Sequence, residues 1–219
     1  MARMARVVVP GYPHHVTQRG NRKQRTFFGK QDYRTYLSLL TEALPKADID
    51  IWAWCLMPNH VHLVAVPEAE DSLARLFRHV HQRYTRRINK REGWVGHLWQ
   101  ERFHSFVMDE QHLLAAVRYI ELNPVRAGLC LDPVDWAWSS VHAHLAGTSD
   151  DLVHTEPMLQ RISDWRDYLT DGTFDGLADS LRAHARTGRP AGGEAFVERI
   201  EMLTGRQLKK RSPGPAPRS

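Results

Sequence analysis

Cysteine is nearly absent. Cys55 and Cys130 are the only two in 219 residues, too few for a disulfide framework and spaced unlike a zinc ligand set. A reducing compartment fits, so the expected location is the cytoplasm, in association with the nucleoid if the partner is DNA. Long apolar runs are also missing. No stretch approaches the ~20 residues of a membrane span, and Val7-Val8-Val9 before Pro10 is too short for the apolar region of a secretory leader. No glycine-rich phosphate loop appears, so nothing points to a nucleotide cofactor. Acidic residues are missing at both ends. None precedes Asp32, whereas Arg3, Arg6, Arg19, Arg22, Lys23, Arg25 and Lys30 do; after Glu201 come only Arg206, Lys209, Lys210, Arg211 and Arg218. With a net charge of +5, such clusters concentrate positive field where phosphates could sit, although ordinary surface solubility explains net charge alone equally well.

What is present suffices for a core. Hydrophobic residues make up 42% of the chain, with seven Trp, six Tyr and seven Phe, enough for one domain with an appendage. There is no internal repeat. Residues 14–20 read as a strand ending at a Gly-Asn turn. Tyr33, Tyr36, Leu37, Leu40 and Leu44 recur at helical steps and predict a helix over 31–46. Residues 49–57 and 60–66 read as strands joined at Pro58-Asn59. The clearest amphipathic helix is expected over 71–91, with Leu73, Phe77, Val80, Tyr84 and Ile88 on one stripe and Arg75, His79, Arg83, Arg86 and Lys90 on another. A fourth strand (102–108) and a helix capped by Asp109 and running to about 122 follow. Strand, helix, strand, strand, helix, strand, helix is the split βαβ, ferredoxin-like order of an α+β domain, with an extra helix and a mostly antiparallel sheet. Helices are expected over 157–169, 174–186 and 192–204, and disorder over the basic residues 206–219. The expected division is therefore an α+β domain over 1–145, a helical extension over 146–205 and the tail.

Two short patterns carry chemistry. In a strand, His60 and His62 point to the same face, so both imidazoles could reach one metal ion; two half-exposed histidines on a sheet would look the same. The chain supplies controls. His79-Val80-His81 and His142-Ala143-His144 fall in expected helices, where residues two apart diverge by roughly 200°. Farther on, Tyr119 and Asn123 are four apart and share a helix face. Pro124 is expected to stop the helix there, leaving the Asn123 amide oxygen available to a hard cation; a partly buried Tyr and an Asn in a helix stop satisfy the pattern equally.

Taken together the motifs resemble a known family. The run Trp54-Cys55-Leu56-Met57-Pro58-Asn59-His60-Val61-His62-Leu63 resembles the histidine–hydrophobic–histidine (HUH) motif of single-tyrosine transposases, and Arg118 to Gly128 resembles the segment bearing their nucleophile. With His15 to Arg22 and Trp136-Ala137-Trp138-Ser139-Ser140, the joint pattern is similar to the REP-associated tyrosine transposases over residues 7 to 145. The resemblance implies a ferredoxin-like fold, metal binding by His60 and His62, a third, amide-bearing ligand at Asn123 (some relatives carry Gln), and Tyr119 as nucleophile. It implies Mg²⁺ or Mn²⁺ as cofactor and, as substrate, single-stranded DNA that folds into hairpins, such as repetitive extragenic palindromes. Cleavage would leave a 5′-phosphotyrosine and a free 3′-hydroxyl. Arg19, Arg22, Lys23 and Arg25 after the first strand, and Arg83 and Arg86 on the long helix, are the candidate DNA contacts; His14, His15, Phe27 and Phe28 are candidates for stacking on bases. Rival readings are a replication-initiator or relaxase-type nuclease, a domesticated DNA-binding regulator without transposition activity, and a metal hydrolase that leaves Tyr119 idle.

Overall fold

The computed structural model describes residues 5–174 and 176–209. Its centre is a four-stranded sheet of β1 (His14–Arg19), β2 (Ile49–Met57), β3 (His60–Pro67) and β4 (His104–Val107) in the order β2-β3-β1-β4. Every pairing is antiparallel, and with its two crossover helices this is the ferredoxin-like arrangement. Those helices, α1 (Lys30–Ala47) and α2 (Ser72–Glu92), cover one face. Tyr36, Leu40, Leu73, Phe77, Val80, Tyr84 and Ile88 meet Val16, Leu56, Val61 and Leu63 of the sheet. Each fully buried large side chain contributes about 1.5–3 kcal/mol. Alternation sends the intervening residues, Cys55, Met57, Val64 and Phe106, to the other face, where they meet α3 (Glu110–Glu121). The Asp109 side chain caps α3 by accepting from the His112 N–H at 3.0 Å.

The helix expected to run to about 122 ends at Glu121 with Leu122 as its C-cap, but a further helical turn follows at Pro124. The Arg126 N–H reaches the Leu122 carbonyl at 3.0 Å and the Ala127 N–H reaches Asn123 at 2.9 Å, forming α4 (Asn123–Arg126). A proline is tolerated in a first helical turn, where its missing N–H has no partner to lose. The strand expected over 102–108 is confined to 104–107.

The C-terminal region shares the core with the sheet instead of forming a separate layer. It contains α5 (Val141–Ala146), α6 (Glu156–Leu159), α7 (Trp165–Thr170), α8 (Leu177–Thr187) and α9 (Glu194–Thr204). Met158, Trp165, Tyr168, Leu169 and Leu181 join the cluster built on β2 and α3. The helix expected over 157–169 is broken into α6 and α7, because Asp164 starts a new helix by capping the Asp167 N–H. Part of the expected disordered tail is folded. Arg206 donates to the carbonyls of Arg6 and Ala5, Leu208 is buried, and Lys209 pairs with Glu194 and Glu198. The rest of that tail lies outside the described residues.

His14 fastens the N-terminal segment to the sheet. Its Nε2 accepts the Val9 N–H at 3.1 Å while Nδ1 donates to the Tyr12 carbonyl at 2.7 Å. An accepting Nε2 must be neutral, and burial holds the imidazole down to about 4. The folded value lies below the unfolded one, so this contribution to stability is full above about pH 6.5 and is lost as pH falls toward 4. Between those limits the loss is on the order of 3 kcal/mol. Denaturant unfolding of wild type and His14→Gln over that window should show a shallower acid dependence in the variant; equal slopes would remove His14 from the linkage.

Candidate active site

The α3-covered face of the sheet carries a block of histidines. Strand alternation puts His60 and His62 of β3 on this face, and antiparallel register sets His62 opposite Thr17 and His60 opposite Arg19 of β1. His104 of β4 lies opposite Thr17 from the other side. One cleft of about 360 Å³ is lined by His60, His62, His15, His104 and Tyr119, with α8 along its rim. The structure thus brings together the histidine pair and the tyrosine singled out from sequence. The two control pairs behave as the backbone argument requires. His79 is half-exposed beside Glu42 while His81 turns inward to Tyr36; His142 is exposed while His144 is buried against Glu121.

The donor chemistry fits a metal ion. The His60 Nδ1 is engaged by the Asn59 Oδ1 at 2.6 Å, which leaves its Nε2 as the lone-pair nitrogen. The His62 Nδ1 meets the His15 Nε2 at 3.0 Å, while the His62 Nε2 is buried without a partner. With its proton on Nδ1, donated to His15, His62 turns a free lone pair outward; an orienting bond of this kind is usual behind a metal-bound imidazole. Burial, reinforced by Arg19, pushes His60 down to about 3, and burial with the neighbouring His60, His15 and arginines holds His62 well below the usual range. Both rings are therefore neutral at physiological pH, the state in which imidazole binds metal. Among the described residues no three His, Cys, Asp or Glu side chains converge as a ligand set, so a third protein donor would have to be of another type. Asn123 does not line the cleft. It opens α4, and its Nδ2 is buried without a hydrogen bond.

Tyr119 is half-buried, its ring centroid 5.9 Å from that of His62 and 6.4 Å from that of His15. The Arg126 guanidinium lies 4.4 Å above the ring. The helix that presents Tyr119 is held from behind by a polar knot inside the core. The Glu121 carboxyl accepts from Ser140 (2.7 Å), the His144 Nδ1 (2.7 Å) and the Trp165 indole N–H (2.8 Å), and all four residues are buried. Arg118 adds two bonds to Tyr168 of α7.

The candidate DNA contacts divide. Arg19 lines the cleft. Arg22, Lys23 and Arg25 are exposed on the loop that leaves β1, and this loop clasps the β2–β3 turn beside His60: the Gly20 N–H donates to the Asn59 carbonyl, and the Thr26 and Phe27 N–H groups to Pro58. Gly20 has no room for a side chain, since a Cβ would sit 2.3 Å from the Gln24 carbonyl oxygen. Arg83 is committed to Glu42 at 2.6 Å, which weakens its reading as a DNA contact. Arg86, Arg87 and Lys90 make no ion pair or hydrogen bond among the described residues and line a groove with Arg91. His14, His15 and Phe27 are buried and are not available to stack on bases. Phe28 is exposed and meets the Trp94 ring edge-on at 5.7 Å. Sequence reasoning missed the support role of His15, the contribution of Arg126, and Arg182 and Arg186 of α8. Arg126 was findable, lying seven residues after Tyr119 and so on its side once a further helical turn is known to follow α3. For the α8 pair no local signal exists.

The family model described as "Transposase IS200 like" matches residues 8–123. That is slightly more than half of the chain and takes in the sheet, the histidine pair and Tyr119; the chain belongs to this family of transposase enzymes. Within it, the chain is similar to the REP-associated tyrosine transposase of Escherichia coli K12, 27% identical over 117 residues, covering 51% of this chain and 68% of that protein. A Haemophilus influenzae protein assigned to the same class is 30% identical over 101 residues, covering 41% of this chain and 57% of its own. A solved REP-associated tyrosine transposase bound to a REP hairpin superposes with a TM-score of 0.58 at 22% identity, covering 69% of this chain and 90% of that one, a likeness of fold. Among the described residues no helix is long and apolar enough to cross a membrane.

Proposed function

We propose that this chain cleaves and rejoins single-stranded, hairpin-forming DNA through a 5′-phosphotyrosine on Tyr119, with a divalent cation held by His60 and His62. The observation that carries the reading is the convergence of His60, His62 and Tyr119, from a strand and a distant helix, on one cleft. The Nε2 atoms of the two histidines are the ligands, and His15 orients His62. Asn123, through its amide oxygen, is the proposed third donor, supported by its four-residue spacing from Tyr119. When bound, Mg²⁺ or Mn²⁺ would neutralise a non-bridging phosphate oxygen and orient the phosphorus.

The chain's own part is the nucleophile and its placement. The Tyr119 Oη, losing its proton, bonds to phosphorus in line with the departing O3′, which leaves as a 3′-hydroxyl after taking up a proton. A 3′-hydroxyl attacking the phosphotyrosine reverses the exchange and returns the phenol. The number of phosphate ester bonds is conserved, so no nucleotide hydrolysis is needed. Arg19 and the Arg22, Lys23 and Arg25 loop sit beside His60 and are the proposed grip on the DNA entering the cleft; the groove of Arg86, Arg87 and Lys90 is a second basic surface. A folded single strand suits such a site, because turning one phosphate toward a sheet-borne centre costs a free strand little and a stiff duplex much. The hairpin seen on the solved relative points the same way.

The test is incubation of end-labelled hairpin carrying a single-stranded flank with Mg²⁺ or Mn²⁺, resolved on denaturing gels, with the same sequence annealed to its complement as competitor. A protein–DNA adduct that resists denaturation is expected with the hairpin, along with weak competition by duplex. Equal competition, or cleavage of duplex at a comparable rate, would sink the single-strand reading. Tight hairpin binding with no adduct in either metal would favour the regulator.

A further inference from the structure

The cleft is walled on one side by a helix that the family region does not contain. Helix α8, residues 177–187, lies beyond the matched residues 8–123. Leu181 pins it into the core beneath α3, and the His184 ring packs against Phe106 of β4 at 5.8 Å. Arg182 and Arg186, one helical turn apart, share a face, and both line the cleft that holds His60, His62 and Tyr119. Among the described residues, three arginines and no carboxylate line this cleft, which suits an anion.

We infer that Arg182 and Arg186 form a two-arginine clamp on the DNA phosphate attacked in the cleft, with Arg182 placed at the Tyr119 oxygen. The inference rests on the reading of Tyr119 as nucleophile and adds a contribution from outside the family region. Arg182 and Tyr119 also line together a neighbouring recess bounded by Arg126 and Asp179. The Arg182 guanidinium is stabilised in the charged form first by Asp179 and then by the Tyr119 hydroxyl. The pair with Asp179 is solvent-exposed, with 47% and 90% of the two side chains accessible, and such pairs hold weakly, so a phosphodiester can take its place. Arg186 makes no ion pair or hydrogen bond among the described residues. Phosphoryl transfer spreads charge over the oxygens around phosphorus, and guanidinium forks match that charge with paired N–H donors. Donors aimed at charge that develops in the transition state commonly contribute about 10²–10³-fold each. Arg182, beside Tyr119, acts on the chemical step; Arg186, one helical turn further along α8, holds the strand.

The test uses the full chain and flanked hairpin in single-turnover cleavage. Arg182→Ala should slow cleavage by about 10²-fold at saturating protein, with unchanged binding of the hairpin stem, and Arg182→Lys should recover part of the rate. Arg166→Ala, which removes the same charge from α7 outside the cleft, should cleave like wild type. A wild-type rate in Arg182→Ala, or equal losses in Arg166→Ala, would overturn the clamp. Thermal unfolding separates a folding defect from a local effect, and the Lys variants keep the question decidable if Ala destabilises the helix. A second arm does not depend on chemistry. Affinities for hairpins with and without the single-stranded flank are measured over a salt series for wild type and for the Arg182→Ala/Arg186→Ala double variant. The double variant should lose affinity only for the flanked hairpin, with a log–log salt slope shallower by about 0.7 per lost phosphate contact. An unchanged slope and affinity would overturn the clamp. If wild type itself forms no adduct, the nucleophile reading fails on its own and this binding arm still decides whether α8 holds phosphate.

Discussion

Replacing Tyr119 by Phe is expected to abolish cleavage and the covalent adduct while leaving hairpin affinity within a few-fold of wild type. The ring keeps its place beneath Arg126 and beside His62 and His15, so packing survives and only the attacking oxygen is lost. The drop should be on the order of 10⁶-fold, the scale seen when an enzyme loses its nucleophile. The measurement is single-turnover cleavage of flanked hairpin, with adduct and free 3′-end quantified together. A Phe variant that still cleaves would remove Tyr119 from the mechanism; one that neither cleaves nor binds would indicate collapse of the cleft instead.

The second large effect concerns the histidine pair. His60→Ala or His62→Ala should each eliminate metal-stimulated cleavage and Mn²⁺ binding measured by calorimetry, because two ligands on one strand make the site together. His15→Ala should leave both ligands but weaken metal affinity by about 10–100-fold, the usual cost of losing an orienting partner. His79→Ala is the matched control. It has the same His-x-His spacing, but on a helix, half-exposed and beside Glu42. If the two pairs had equal effects on metal dependence, strand geometry would not be what makes the site. His81 cannot serve as the control, since it hydrogen-bonds Tyr36 at 3.0 Å and stacks on Trp99 in the core.

The sheet, the two long helices and the histidine pair were legible because each follows from a local period. Alternation of 2 fixed the face shared by His60 and His62, and the 3.6-residue stripe through Leu73, Phe77, Val80, Tyr84 and Ile88 fixed α2. Pro124 marked the end of α3 but hid the short turn after it, because a proline reads as a stop locally, whereas at the head of a further turn it costs nothing. The burial of His15 was hidden for a different reason. Which strand face is covered depends on the partner that packs there, and α3 and α8 arrive from far along the chain. Arg83 looked like a free cation on a basic stripe because its partner, Glu42, lies on another helix. Arg182 belongs to the same class of miss: its contact with the cleft exists only once α8 has docked.

The polar knot behind Tyr119 has a consequence for how this chain can be exchanged in parts. Glu121 lies inside the family region, yet it is completed by Ser140, His144 and Trp165, all beyond residue 123. A chimera joining the first 145 residues of this chain to the second part of a relative would keep His60, His62, Tyr119 and Asn123 and still deprive the Glu121 carboxyl of the Trp165 donor. A buried carboxyl deprived of a partner costs several kcal/mol, enough to loosen the helix that carries Tyr119. The histidine pair and the tyrosine are thus portable as sequence but not as function. Such a graft would carry the whole motif and is expected to lose cleavage, and restoring a matched indole donor at the position of Trp165 would be the first repair to attempt.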